Sequence, residues 1–231
     1  MYKLTRPDGY DFYSGTINYR DAIGTVIRVT DFDPPEHGVC GHGLHASRNP
    51  NNCFVGAKIP CIAFKVQGIG KIIGDSKKSR YRALKIIKEI HDLNNLFGWN
   101  YIEAANPIHP FKIKPPEITE VEFKLLKKWA SVGASVEAYV GDSVGASVWN
   151  SVGAYIGSLF PAIKKWKYID HRRGHYPFQP AVDLWKIGLV PSFDGKVWRL
   201  HGGKKGKIYG KEKYKKCSTV LESWIVTDQT N

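Results

Sequence analysis

Between His37 and Ser47 the chain reads HGVCGHGLHAS, the densest set of potentially reactive side chains in the sequence. Three imidazoles (His37, His42 and His45) and the Cys40 thiol crowd into this stretch, with Cys53 and Cys61 close behind. Neutral imidazole and thiolate are the ligands zinc prefers, so one chemistry open to the cluster is a closed metal site. Its spacing fits no finger or ribbon pattern, and the FVGAKIP segment between the two later cysteines reads as strand rather than zinc knuckle. No metal ligand is assigned on that ground. The alternative is a tight turn shaped by Gly38, Gly41 and Gly43, with Leu44 and Ala46 toward the core and the histidines hydrogen-bonded or solvated. Because imidazole titrates near neutral pH, His42 and His45 also suit acid–base work, for which nothing in the sequence selects a substrate.

A second kind of chemistry sits in the last third. Lys164, Lys165 and Trp166, then Arg172 and Arg173, interleave cations with aromatics in KKWKY and DHRRGHY, the combination that grips phosphates and stacks bases. Lys204, Lys205 and Lys207 open a lysine-rich run with Tyr209 and Tyr214 between its cations. The formal charge of +13 is unevenly spread: residues 1–130 carry a net +6, 131–160 a net −2 and 161–231 a net +9. Nucleic acid is the partner class this distribution suggests. Solubility and the protection of strand edges by lysine explain part of the same charge without any ligand.

Two resemblances add to this. The segment GHGLHASRNPNNC (Gly41–Cys53), followed by the apolar CIAFKVQ, is similar to the central stretch of ADP-ribosyltransferases, where a G-x-G-[IL]-[YH]-x-[AS] strand and loop precede a helix and another strand. The resemblance implies a split antiparallel sheet around an NAD cleft. Gly41, Gly43 and Ser47 would border the cofactor, and Arg6, His42 and His45 would serve catalysis with a later carboxylate, Glu89 or Glu103. The SVxA and SVxD tetrapeptides before YIGSLF, with PFQPAVDLWKIGLVPSFDGKVWRLHGG after them, resemble uncharacterised phage and prophage proteins. That likeness implies an accessory protein of a phage or mobile element and no particular activity.

The elements that must position these groups read as an α+β protein. With 231 residues, 42% of them hydrophobic, and seven Trp, the chain can bury a core without disulfides. Three cysteines crowded at 40–61 with Cys217 alone make no secreted scaffold and suit reduced thiols, and the lack of a long apolar run or signal-like N-terminus points to a cytoplasmic, non-membrane protein. Strands are expected at Tyr2–Arg6, Gly24–Thr30, Cys61–Gln67 and on through Gly74, in a mixed or antiparallel sheet. Leu84, Ile87 and Ile90 recur at helical spacing, predicting an amphipathic helix over 83–94 capped by Asp75 or Ser76. Residues 99–116 read as a Pro-rich connector with one extended piece at 111–114.

Thr119 followed by Glu122 is a capping box for a helix with Val121, Phe123, Leu125, Leu126 and Trp129 on its apolar side. The four-residue repeat of 131–160 comes next, with Val132 to Phe160 in one phase and glycines behind them. It suggests one or two closely packed helices, with a turn-rich solenoid as the alternative and self-association as a further role. A short helix at 180–189 and a hairpin about Asp194-Gly195 complete the reading, with a last strand or helix at 219–226. Three parts follow from this: an α+β domain (1–117), the helix and repeat segment (118–165), and a basic C-terminal module (166–231).

Overall fold

The computed structural model describes residues 1–34, 41–70, 72–75, 77–136, 144–166, 169, 171–194 and 196–213. His37, Cys40, the middle of the repeat and the 219–226 segment lie outside them. The protein is α+β, and the chain divides into two units, Met1–Ala105 and Asn106–Asn231. The division falls before the expected boundary at 117. The helices at 120–136 and 144–158, which take in both ends of the repeat, share one core with the C-terminal strands in the second unit, where the sequence suggested two parts.

In the first unit, β1 (Tyr2–Thr5), β2 (Val26–Arg28), β4 (Ile62–Ile69) and β7 (Ala83–Ile90) form an antiparallel sheet in the order β1-β4-β7-β2. A second sheet takes β3 (Leu44–Ala46), β6 (Ser79–Tyr81) and β5 (Ile73–Gly74) in the order β3-β6-β5. Only Arg82 separates β6 from β7, so one stretch of chain serves both sheets. The expected helix at 83–94 is therefore a strand, and the register shows why. Lys65 pairs with Lys88 but Val66 pairs with Ile86, leaving Ile87 as an extra residue in β7. A period-two strand with one bulged residue places Leu84, Ile87 and Ile90 three apart, which imitates a helix.

The bulge also lets the sheet bury opposite faces. Phe64, Val66, Leu84 and Ile86 meet Leu44, Ala46, Tyr19 and Tyr81 on one face. Leu4, Ala63 and Ile90 meet Leu93, Phe97 and Tyr101 on the other, where α1 (Leu93–Phe97) and α2 (Tyr101–Ala105) cover it. Two further expectations change here. Residues 50–55 form a 3-10 turn instead of beginning a strand, and α2 occupies what read as connector. Asp75 caps no helix; its carboxylate accepts the Lys77 and Lys78 N–H groups in the β5–β6 turn.

The second unit packs α3 (Glu120–Val136), α4 (Val144–Ser158) and α5 (Gln179–Lys186) against an antiparallel sheet ordered β10-β9-β8, built from β8 (Leu189–Phe193), β9 (Val197–Gly202) and β10 (Lys207–Lys213). Before α3, residues 110–112 make a 3-10 turn where an extended piece was expected. The capping box at the start of α3 is formed: Glu122 accepts from the Thr119 N–H at 2.8 Å, and the Thr119 hydroxyl accepts from the Val121 N–H. Phe123, Leu126 and Trp129 of α3 are buried, while Val121 is 61% exposed and leaves the apolar side.

α4 departs from the expected valine ladder. It buries Ser151, Ala154 and Tyr155, with Leu159 buried just after it, and turns Trp149 (73% exposed) and Ile156 (50%) outward. Four-residue spacing on a 3.6-residue helix rotates each repeat about 40°, so the ladder cannot keep to the core side. The hairpin at 194–195 is formed in the expected place, with Phe193 opposite Trp198 and the Asp194 carboxylate accepting the Lys196 and Val197 N–H groups.

Candidate functional site

The glycine and histidine segment of the first unit is organised around a buried arginine. Arg80, on β6, is 0% exposed; its guanidinium donates to the His42 carbonyl (3.0 Å) and the Pro34 carbonyl (3.1 Å) and lies 5.1 Å from the Phe32 ring centroid. Gly43, at φ +146°, lets the chain pass over that side chain: a Cβ there would lie 2.7 Å from Arg80 Cγ. A Cβ on Gly41 would fall 2.8 Å from Asp33 Oδ2. The two glycines thus admit Arg80 and Asp33, the role the transferase resemblance assigned to a dinucleotide.

Asp33 Oδ2 accepts the His42 backbone N–H at 2.7 Å and lies 3.1 Å from its Nδ1; Asp31 Oδ2 is 3.7 Å from the same nitrogen. Asp31, Asp33 and His42 offer three donor atoms within 4.8 Å of one another, the set in the described residues that could hold a cation. Cys53 and Cys61, near in sequence, do not join it. Cys53 donates to the Tyr2 carbonyl, and burial pushes its thiol up to about 11; Cys61 is buried against Tyr101. A protonated thiol inside an apolar cluster is a poor metal ligand.

The other expected site residues of this unit each have local partners. Arg6 makes a two-point ion pair with Asp8 (2.6 and 3.1 Å) and faces Tyr10. Glu89 is paired at two points with Arg20, at 3.0 and 3.2 Å. His45 sits in β3 opposite Arg80. The Ser47 hydroxyl donates to the Lys77 carbonyl, and its backbone exchanges hydrogen bonds with Tyr2. Among the described residues no hydrogen bond or ion pair joins Arg6, His42 and Glu89 to one another.

In the second unit the basic loop before α5 is closed by its own hydrogen bonds. The Gly174 N–H donates to the Lys164 carbonyl at 2.8 Å, and Lys165 Nζ donates to the His171 carbonyl at 2.9 Å. His171 Nε2 accepts the Trp166 N–H at 2.9 Å, which leaves Nδ1 to donate to the Arg172 carbonyl at 3.0 Å. Trp166 is half-buried in edge contacts with Tyr176 and Phe178, 5.7 and 5.5 Å between ring centroids. Its ring supports the loop from beneath rather than standing out to stack a base. Lys164, Lys165, Arg172 and Arg173 are exposed around it; Lys167 and Asp170 of the same stretch lie outside the described residues. Lys204, Lys205 and Lys207 are exposed on the β9–β10 turn, which the Gly206 N–H closes onto the Gly203 carbonyl.

One pair that the sequence did not bring forward is Ser192 with His201. Ser192 Oγ lies 2.7 Å from His201 Nε2, and His201 Nδ1 lies 3.1 Å from the Gly206 carbonyl. A carbonyl only accepts, so Nδ1 carries the proton and the serine hydroxyl donates to Nε2. This is the hydrogen bonding of an activated serine, yet Ser192 is 0% exposed, which shuts substrate out and leaves a cross-strand tether. The signal was present in the hairpin register: pairing about Asp194-Gly195 puts Val190 opposite His201 and Ser192 on the diagonal.

No helix among the described residues is long and apolar enough to cross a membrane. No family model, curated protein or solved structure matches the chain.

Proposed function

We propose that the protein binds a polyanion, nucleic acid being the partner class, through the basic loop of the second unit. The observation that carries this reading is the loop closed by hydrogen bonds, which presents four exposed cations, Lys164, Lys165, Arg172 and Arg173. Cations held on a closed loop lose less conformational freedom on gripping phosphates than cations on a free chain. The lysines of the β9–β10 turn add a second set on the same unit. An accessory role in a phage or mobile element suits such an activity.

Binding should be read from fluorescence anisotropy of labelled DNA and RNA over a range of salt. Four phosphate contacts give a slope of log K against log salt of about −3 to −4. The R172Q/R173Q variant should lose about ten-fold in affinity and flatten that slope by about 1.5, with its melting temperature unchanged. Wild-type binding that ignores salt, or a variant indistinguishable from wild type, refutes the reading.

A second reading, self-association, is favoured by the outward stripe of α4. Trp149, Val152 and Ile156 share one side of the helix, with Trp149 at 73% exposure. An exposed apolar stripe marks a surface for another chain, here a second copy. Sedimentation of wild type as an oligomer and of Trp149→Glu as a monomer supports it; a wild-type monomer at high concentration rejects it.

A further inference from the structure

The four-stranded sheet of the first unit has one face covered only in part. Leu4, Ala63 and Ile90 lie on it beneath α1 and α2. Side chains alternate along strands, so the register carries the same face outward from there. Tyr2 and Lys65 are paired, as are Lys65 and Lys88, Gln67 and Lys85, and Val26 and Lys85, with Arg28 two residues beyond Val26. The bulge at Ile87 keeps Lys85 and Lys88 on one side.

Arg28, Gln67, Lys85 and Lys88 are exposed and Lys65 half-buried, its Nζ 4.4 Å from the Tyr2 ring centroid. Ile87 and Val26 add exposed apolar area at 42% and 39%. No acidic residue of the four strands falls on this face: Glu89 pairs opposite Phe64 on the other side, bound to Arg20. Two lysines directly opposite on neighbouring strands repel, and no carboxylate of the sheet relieves them. A groove of about 430 Å³ runs alongside, lined by Arg48, Lys65, Gln67, Ile72 and Ile87 among others, large enough for a base.

We infer that the open half of this sheet face is a second nucleic-acid surface, and that it takes a single strand. The cations are interleaved with the Tyr2 ring and the exposed aliphatic side chains of Val26 and Ile87 on an open sheet, which sets apolar surface for unpaired bases beside lysine and arginine for phosphates. A duplex has no free base faces to offer it. The surface stands on observations independent of the basic loop in the second unit.

The test uses the full chain and two labelled probes, a twelve-nucleotide oligouridine and a twelve-base-pair duplex. The R28Q/K65Q/K85Q/K88Q variant should bind the single strand at least ten-fold more weakly, with a salt slope flatter by about 2 to 3, since each phosphate contact to a single strand contributes about 0.7. Duplex binding should be unchanged. The same drop should appear when the substitutions are made on the R172Q/R173Q background, which separates this surface from the loop. K85Q/K88Q, both at exposed positions, should give about half the change in slope and guards against misfolding of the larger variant. Single-strand affinity that is unaltered in both variants, or equal losses for strand and duplex, overturns the inference.

Discussion

The glycine and histidine segment of the first unit and the basic loop of the second make opposite uses of their polar residues. In the first, the groups that look catalytic are engaged in holding the chain: Arg80 holds two carbonyls, Asp33 holds His42, Arg6 holds Asp8 and Ser47 holds Lys77. In the second, the backbone, His171, Trp166 and Lys165 hold the loop, and Lys164, Arg172 and Arg173, which look like solubilising charge, are exposed around it. Residue type alone therefore does not say which polar groups hold the fold and which are left to solvent. What separates a structural from a functional polar group is whether its hydrogen bonds are already made within the fold.

That contrast can be broken by substitutions in either unit. The largest stability effect is expected for Arg80→Met, which leaves the His42 and Pro34 carbonyls without their buried donor; a loss of about 3 kcal/mol in denaturant unfolding is expected. Asp11→Asn should follow at about 2 kcal/mol, because the Asp11 carboxylate accepts the Tyr13, Ser14 and Ile17 N–H groups and the Ser14 hydroxyl. Burial alone would push the Asp11 carboxyl up, but the hydrogen bonds, led by those from Ile17 and Ser14, bring it below its ordinary value of 3.8. A carboxylate depressed on folding contributes stability above its unfolded pKa and loses it as pH falls through the folded one. Wild type should thus lose stability from about pH 4 downward, and D11N should lose less over that window. Ser192→Ala, removing one neutral cross-strand hydrogen bond, should cost about 1 kcal/mol. None of the three should alter the salt slope of binding, because Arg80, Asp11 and Ser192 belong to neither proposed nucleic-acid surface.

Much of the second unit was legible because its signals are local. The Thr119 and Glu122 capping box, the helix before Leu189 and the Asp194-Gly195 hairpin each depend on residues a few positions apart, and each is formed. In the first unit the decisive facts are long-range. The strand at 83–90 resembled a helix because its bulge at Ile87 is set by pairing with β4, about twenty residues earlier. The meaning of Gly41 and Gly43 depended on Arg80, whose burial no local pattern announces. In the repeat, the valine phase read from the sequence was real, but the core side of α4 is chosen by Tyr155 and Ala154, the residues that meet the buried cluster. Of the candidate site residues, the cations at 164–173 are gathered on one loop, whereas Arg6, His42 and Glu89 sit with separate partners.

The central claim is that exposed cations of a closed loop, and not the histidine segment, carry the protein's interaction chemistry. Its most direct test compares the salt dependence of nucleic-acid affinity for wild type, R172Q/R173Q and H42A/H45A. The account predicts a steep wild-type slope, one flatter by about 1.5 in the arginine variant, and a histidine variant that matches wild type. A histidine variant that abolishes binding while the arginine variant keeps it would contradict the account.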